Sequence, residues 1–356
     1  DFDDEDNYLG ALAILGGSYS EGVDVSLISA TVNSANAKFN GKNHSYIHNA
    51  NLDIANAINI RANSSSFAKG DVLTDNQVGF ASLFLTQISS YAGGDFGAYA
   101  ENTAGKKIKG KSINLQNTYR ARARAMSAQS GTGVSASAIN AGVNVALANT
   151  QVTSSAGISG GDVEADPTSE EGDITVVLTG NARAIASFYE PKVSLSAAQL
   201  AVNYVEARLL DRQDAYITGA NIIRANDISV LSSFNEADDG IGASAIIAGG
   251  GEGSGKSVNV SAYTINANTA IADVNSIVKA RVENAAMNAA KKITVKTTGN
   301  AFAKSDYTGS DASLGLAAFG VFISKASTSG SFLAYIENGG QNITADALDV
   351  ISDYQA

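Results

Sequence analysis

The chain has 356 residues, 44% hydrophobic, 7% aromatic and 17% charged, with a net charge of −11 and neither cysteine nor tryptophan. That balance excludes a disulfide framework, a thiolate metal centre and a cysteine nucleophile, and an acidic surface repels a nucleic-acid backbone. No apolar run reaches 18 residues, so no membrane-crossing helix is expected, and any core must be built from Ala, Val, Ile and Leu.

In chain order, Asp1 to Asp6 is an acidic run without the basic and apolar regions of a secretory leader. A small apolar strand follows at Leu9 to Ile14. The first Ile-x-Val signature stands at Ile58-Asn59-Ile60. It returns at Ile113-Asn114-Leu115, Ile174-Thr175-Val176, Ile228-Ser229-Val230, Ile293-Thr294-Val295 and Leu348-Asp349-Val350. The intervals are 55, 61, 54, 65 and 55 residues, which predicts six units of roughly 58 residues spanning 1–356 as one array. A second strand precedes most signatures, at Tyr46-Ile47, Tyr99-Ala100, Tyr216-Ile217, Arg281-Val282 and Tyr335-Ile336. After the signature comes a polar turn and an alternating stretch, as in Tyr119-Arg120-Ala121-Arg122-Ala123-Arg124-Ala125, where Arg and Ala occupy opposite faces of a strand. A small-apolar stretch closes the unit, for example Val134-Ser135-Ala136-Ser137-Ala138. Ser196 to Leu210 is rich enough in Ala and Leu for a helix. Its counterparts in other repeats are β-branched and contain Gly, so a strand is expected there too.

An isolated strand pair cannot bury its apolar face, whereas stacked repeats bury a continuous core and satisfy the backbone between layers. The low charge and the abundance of Asn, Ser and Thr suit such stacking, because like charges repel at a spacing of about 4.8 Å. The expected fold is all-β, a right-handed parallel β-helix. With coils of about 20 residues the array would run on the order of 80 Å.

The order Ala-Tyr-Ile, turn, Ile-x-Val, then Asn-Ala-x-Ala and Ala201-Val202-Asn203, resembles the repeats of leukotoxin-like filamentous adhesins. These are large bacterial surface proteins in the style of filamentous haemagglutinin and autotransporter passengers. The resemblance spans nearly the whole chain. It implies export across the bacterial envelope, a β-helical stalk, and contact with other cells, a matrix or glycans.

Several side-chain groups invite a functional reading. His44 and His48 share a strand face with Tyr46, although paired surface histidines are usually only polar face residues. Asp162, Glu164, Asp166, Glu170, Glu171 and Asp173 form an acidic excursion around Pro167, a candidate Ca²⁺ loop against the commoner reading of a solvated one. Lys106, Lys107, Lys109 and Lys111, with Arg120, Arg122 and Arg124, form the one basic stretch. It is expected to pair with acidic loops of a neighbouring coil in preference to binding an acidic polysaccharide. Gly249 to Gly255 lacks the Lys-Ser/Thr ending of a phosphate loop. Asn43, Asn63, Asn259 and Asn342 head glycosylation sequons of the kind an Asn- and Ser-rich chain produces by chance.

No nucleophile–base pairing is legible, so no catalytic residue and no cofactor is assigned. A β-helical polysaccharide lyase or hydrolase is the different-class alternative, and would need clustered carboxylates and aromatic platforms on facing strands. The leading expectation is a secreted structural or adhesive fibre whose main partner is itself. Joining the two ends would restore one repeat, with a closing interval of 66 residues. Leu9, Ala11, Leu12, Leu348, Val350 and Tyr354 are therefore the expected assembly residues.

Overall fold

The computed structural model describes residues 10–15, 23–74, 76–129, 134–166, 168–169, 171–190, 193–236, 241–249, 258–308 and 312–355. Its strands form three parallel sheets, one of them strongly curled, and no helix occurs among the described residues. The first sheet runs Ala11–Leu15, Ile58–Thr74, Ile113–Gln129, Ile174–Tyr189, Ile228–Phe234, Lys292–Asn300 and Ala347–Gln355. Ile241–Ala248 and Phe302–Thr308 continue its fifth and sixth strands past a break. The second sheet contains Val23–His48, Asn76–Glu101, Val134–Ser159, Val193–Leu209, Val258–Val274 and Ala317–Thr328. Arg212–Thr218, Ile277–Glu283 and Ser331–Glu337 extend the last three of these. Six short strands make the third sheet: Leu52–Asp53, Lys107–Gly110, Asp162–Ala165, Asn221–Ala225, Ala286–Ala289 and Ile343–Thr344. Residues 193–209 are strand, as their β-branched counterparts require.

The signature residues pair in register from layer to layer: Ile58 with Ile113, then Ile174, Ile228, Ile293 and Leu348. Hydrogen-bonded neighbours are thus a whole repeat apart. This corrects the assumed 20-residue coil, because each repeat spends its length on strands of up to 26 residues and not on several short coils. Six layers at about 4.8 Å place the first and last about 24 Å apart, not 80 Å.

Two apolar clusters fill the space between the sheets. One joins the signature residues to the far end of the second sheet and to the third: Ile113, Ile174, Ile228 and Ile293 pack with Ile158 and Ile217 and with Val163 and Ile222. The other is built largely of alanine, from Ala121, Ala123 and Ala125 on the first sheet to Ala146, Ala148 and Ala207 on the second. Alanine at these inward positions lets the sheets approach closely, and explains how a core forms with few aromatic rings. The alternation read from Tyr119 to Ala125 holds: the three Ala are buried, Arg120 is exposed, and Arg122 and Arg124 are half-buried.

Each layer turns from the second sheet to the third at one aligned position. Asn49, Asn102, Gly160, Gly219, Asn284 and Asn338 occupy it, and four of them, Asn49, Gly160, Gly219 and Asn284, have φ of 48°, 64°, 60° and 49°. Left-handed backbone favours Gly, then Asn, which accounts for those residue types recurring after the Tyr-Ile strand. The asparagines also stitch the turns together. Asn49 Oδ1 accepts from Thr103 N at 3.0 Å, and Asn102 Oδ1 accepts from Ala50 N at 3.0 Å.

Candidate functional site

The two outermost layers carry the residues expected to mediate assembly. Ala347–Gln355 pairs on one side only, with Lys292–Asn300, and its other edge has no partner among the described residues. Leu348 and Val350 sit over Ile293 and Val295, which are fully buried, yet are themselves 50% and 46% exposed. Tyr354 stacks on Phe332 with ring centroids 4.2 Å apart. At the opposite end, Ala11 and Ala13 pack against the alanine core while Leu12 is 62% exposed. Leu9 lies outside the described residues.

The register separates these two groups. Ala11 belongs to the column of Ala68, Ala123, Ala184, Ala243 and Ala303, whereas Leu348 belongs to the column of Ile58. The two columns run along successive halves of the first-sheet strands, as Ile58 and Ala68 do on Ile58–Thr74. Added in register to the last layer, a further repeat of this kind would place Ile58 on Leu348, Ile60 on Val350 and Ala11 on Ala303.

The acidic excursion and the basic stretch neutralise one another across layers. Glu164 is buried between Lys107 and Arg224, whose Nε donates to Glu164 Oε1 at 2.9 Å. The Lys107 hydrogen bond, with that of Arg224, holds its carboxyl below the usual range against the opposing effect of burial. Lys111 Nζ donates to Glu171 at 2.8 Å and lowers that carboxyl too, while Lys109 reaches Asp53 at 3.2 Å. Asp162 accepts from Asn221 Nδ2 at 2.9 Å, Asp166 from the Thr168 backbone and hydroxyl at 3.0 and 2.8 Å, and Asp173 from Asp227 N at 3.2 Å. Glu170 and Pro167 lie outside the described residues. Among the described residues, no group of three or more His, Asp or Glu side chains is placed to hold a metal ion. The third-sheet column Asp53, Lys109, Glu164, Arg224 alternates in sign. Like charges would repel at that spacing, and alternation removes the penalty.

The histidines share a strand face but not a ligand. His44 contacts Tyr99 OH at 2.9 Å and Asp95 O at 3.0 Å, and His48 lies 3.6 Å from Glu101. Between them, Tyr46 stacks on Tyr99 at 5.5 Å and 11°. Their column continues through Gly157 to Tyr216, Arg281 and Tyr335. Gly157 is required: a Cβ there would stand 2.5 Å from the Tyr216 ring. The Arg281 guanidinium lies over that ring at 5.3 Å and is held by Asp214. The recurring Tyr-Ile motif is thus an outward stripe of rings, with Ile facing the core.

A buried polar seam, not anticipated from sequence, separates the two apolar clusters. Asn117 Nδ2 donates to Phe96 O, Ser154 Oγ and Ser155 O, each at 2.9 Å. Asp211 is fully buried. Its Oδ1 accepts from Val152 N at 2.9 Å and its Oδ2 from Tyr119 OH at 3.1 Å. Gln213 Nε2 donates to the same hydroxyl at 3.0 Å, and Ser232 Oγ donates to Gln213 Oε1 at 3.1 Å. Burial pushes the Asp211 carboxyl up to about 7, overriding its hydrogen bonds, and also raises Tyr119 well above its ordinary value. A second internal line, Asn144 to Asn203 to Asn268, carries amide hydrogen bonds of 2.7 Å at each step.

No family model matches the chain, and no curated protein or solved structure matches it.

Proposed function

We propose that the chain is a segment of an extracellular structural or adhesive fibre on a bacterial surface, folded as a right-handed parallel β-helix in which one repeat makes one turn. The carrying observation is the pair of open layers. Each ends in a parallel edge that has no partner among the described residues, above exposed core residues. Unpaired edges of this kind are templates for further strands. A second copy, or continuing chain, would supply them. Low charge, absence of cysteine and the resemblance to filamentous adhesin repeats support an exported location. The tyrosine stripe from Tyr46 to Tyr335 is the surface best suited to adhesion, since rings that present a face and a hydroxyl suit glycans and other surfaces.

Electron microscopy across a concentration series tests this reading. The chain should form rods that lengthen with concentration. Val350→Lys places a charge where the next layer would seat Ile60, yet stays solvated in the isolated chain, so rods should shorten to single particles. Particles of one length at every concentration, unchanged by Val350→Lys, would overturn it.

A further inference from the structure

The first half of the second sheet is inverted in polarity. Its inner face is polar and buried, with Ser82, Thr86, Asn140, Asn144, Asn203 and Thr264 turned inside. Its outer face has three in-register columns, which run from Ile28 to Ala317, from Ala30 to Phe319 and from Val32 to Val321. Read from the first layer to the sixth, they are Ile, Ala, Ile, Ala, Tyr, Ala; then Ala, Leu, Ala, Leu, Ile, Phe; then Val, Leu, Val, Val, Ala, Val. No charged residue occupies any of these positions in a chain that is 17% charged. Val32 is 75% exposed, Phe319 65% and Leu200 47%, and a trough of about 310 Å³ opens over Leu83, Leu85, Val143 and Val202. An antiparallel or parallel sheet ordinarily covers its apolar face and leaves the polar one in water. Exposed apolar patches of this size mark interaction surfaces.

We infer that this face binds the same face of a second copy, with the two stacks running in opposite directions. Size supports that occupant. A two-fold axis along the strands superposes each column on itself and reverses the layer order. Ile28 then meets the Ala317 position of the other copy, Ala81 meets Tyr263, and Ile139 meets Ala198. Ala30 meets Phe319, Ala141 meets Leu200, and Leu85 meets Ala267. Large lies against small in these six pairs, and the other three join Leu83 to Ile265, Val32 to Val321 and Val143 to Val202. Stacks running in the same direction would instead oppose the middle column to itself, Leu on Leu and Phe on Phe. Six layers by three columns cover about 600 Å² per copy, so a pair buries about 1,200 Å², above the roughly 1,000 Å² that a specific interface needs. The contact is isologous and closes at two copies. It is independent of end-to-end stacking, and joins stacks side by side.

The chain has no cysteine, so single thiols can be introduced cleanly. Chains carrying Ala81→Cys and Tyr263→Cys are mixed and treated with a bismaleimide spanning about 10 Å, the spacing of facing sheets. The mixture should yield at least tenfold more cross-linked dimer than Ala81→Cys alone, and adding Val143→Lys with Val202→Lys to both chains should abolish it. Both lysines point to solvent in the single chain, and unchanged circular dichroism confirms the fold. End-to-end stacking cannot produce this link, since the second and fifth layers of successive copies lie about 14 Å apart. Absence of the mixed product, equal product from Ala81→Cys alone, or a monomer that instead co-sediments with phosphatidylcholine vesicles would overturn the inference.

Discussion

Asp211→Asn separates the contribution of the buried seam from everything else that titrates. In the folded chain burial favours the protonated acid, with a titration point near 7 against 3.8 in an unfolded chain. Between those values the folded state holds a proton that the unfolded state has released, so stability falls as pH rises. It is full below about pH 4 and lowest above about pH 7. About three units correspond to roughly 4 kcal/mol. The amide keeps the acceptor for Val152 N–H, but turns a second donor toward a Tyr119 hydroxyl that already accepts from Gln213. That mismatch costs roughly 1–2 kcal/mol. The variant should therefore match the parent to within about 1 kcal/mol at pH 5, where roughly 1.7 kcal/mol of the parent's stabilisation has already gone, and be more stable at pH 8 by about 2–3 kcal/mol. Urea midpoints followed by circular dichroism at pH 5, 6.5 and 8 measure the difference. Parallel pH profiles for parent and variant, or a larger deficit at pH 8 than at pH 5, would refute the assignment of a buried, neutral Asp211.

Other substitutions probe the layers independently. Val176→Asp puts a carboxyl into the fully buried signature column and should cost several kcal/mol; an unchanged melting temperature would contradict the stacking. Gly180→Ala places a Cβ 1.8 Å from Gln213 Nε2 and 2.6 Å from the Tyr119 ring, so a loss of roughly 1–3 kcal/mol is expected by thermal melt, against none if the seam is loose. Asn203→Ala strips both neighbours of a buried amide partner, and the amide protons around Asn144 and Asn268 should lose hydrogen-exchange protection. Glu164 has a lowered carboxyl, so its contribution is present above pH 4.5 and disappears as pH falls through its folded value; Glu164→Gln should flatten the acid limb of the stability profile.

Much of this architecture was legible in the chain. β-branched Ile and Val recurring at one spacing mark the buried column, and all six signatures pair in the register they suggest. At Asn49, Gly160, Gly219 and Asn284 the residue type after the strand also suits the left-handed turn found there. The pairing of Lys107 and Lys111 with acidic neighbours followed from charge alone. Three features were not legible, each for a physical reason. Coil length was underestimated because Gly and Ser inside the long strands look like turns, while tertiary stacking keeps them extended. Asp211, within Leu210-Asp211-Arg212-Gln213, has the composition of a polar turn, and only the opposite sheet carrying Tyr119 buries it. Alternation in Ala141-Gly142-Val143-Asn144 shows which residues share a face but not which face is covered. The structure puts the apolar side outside.

The proposal that layers continue across the ends is tested most directly by the axial repeat of assembled material in cryo-electron microscopy. A fibre built by register-preserving stacking gives a strong layer line near 4.8 Å and a subunit repeat of about 29 Å, six layers per chain. Filaments with another subunit repeat, or solutions that hold only isolated particles at the highest attainable concentration, would contradict it.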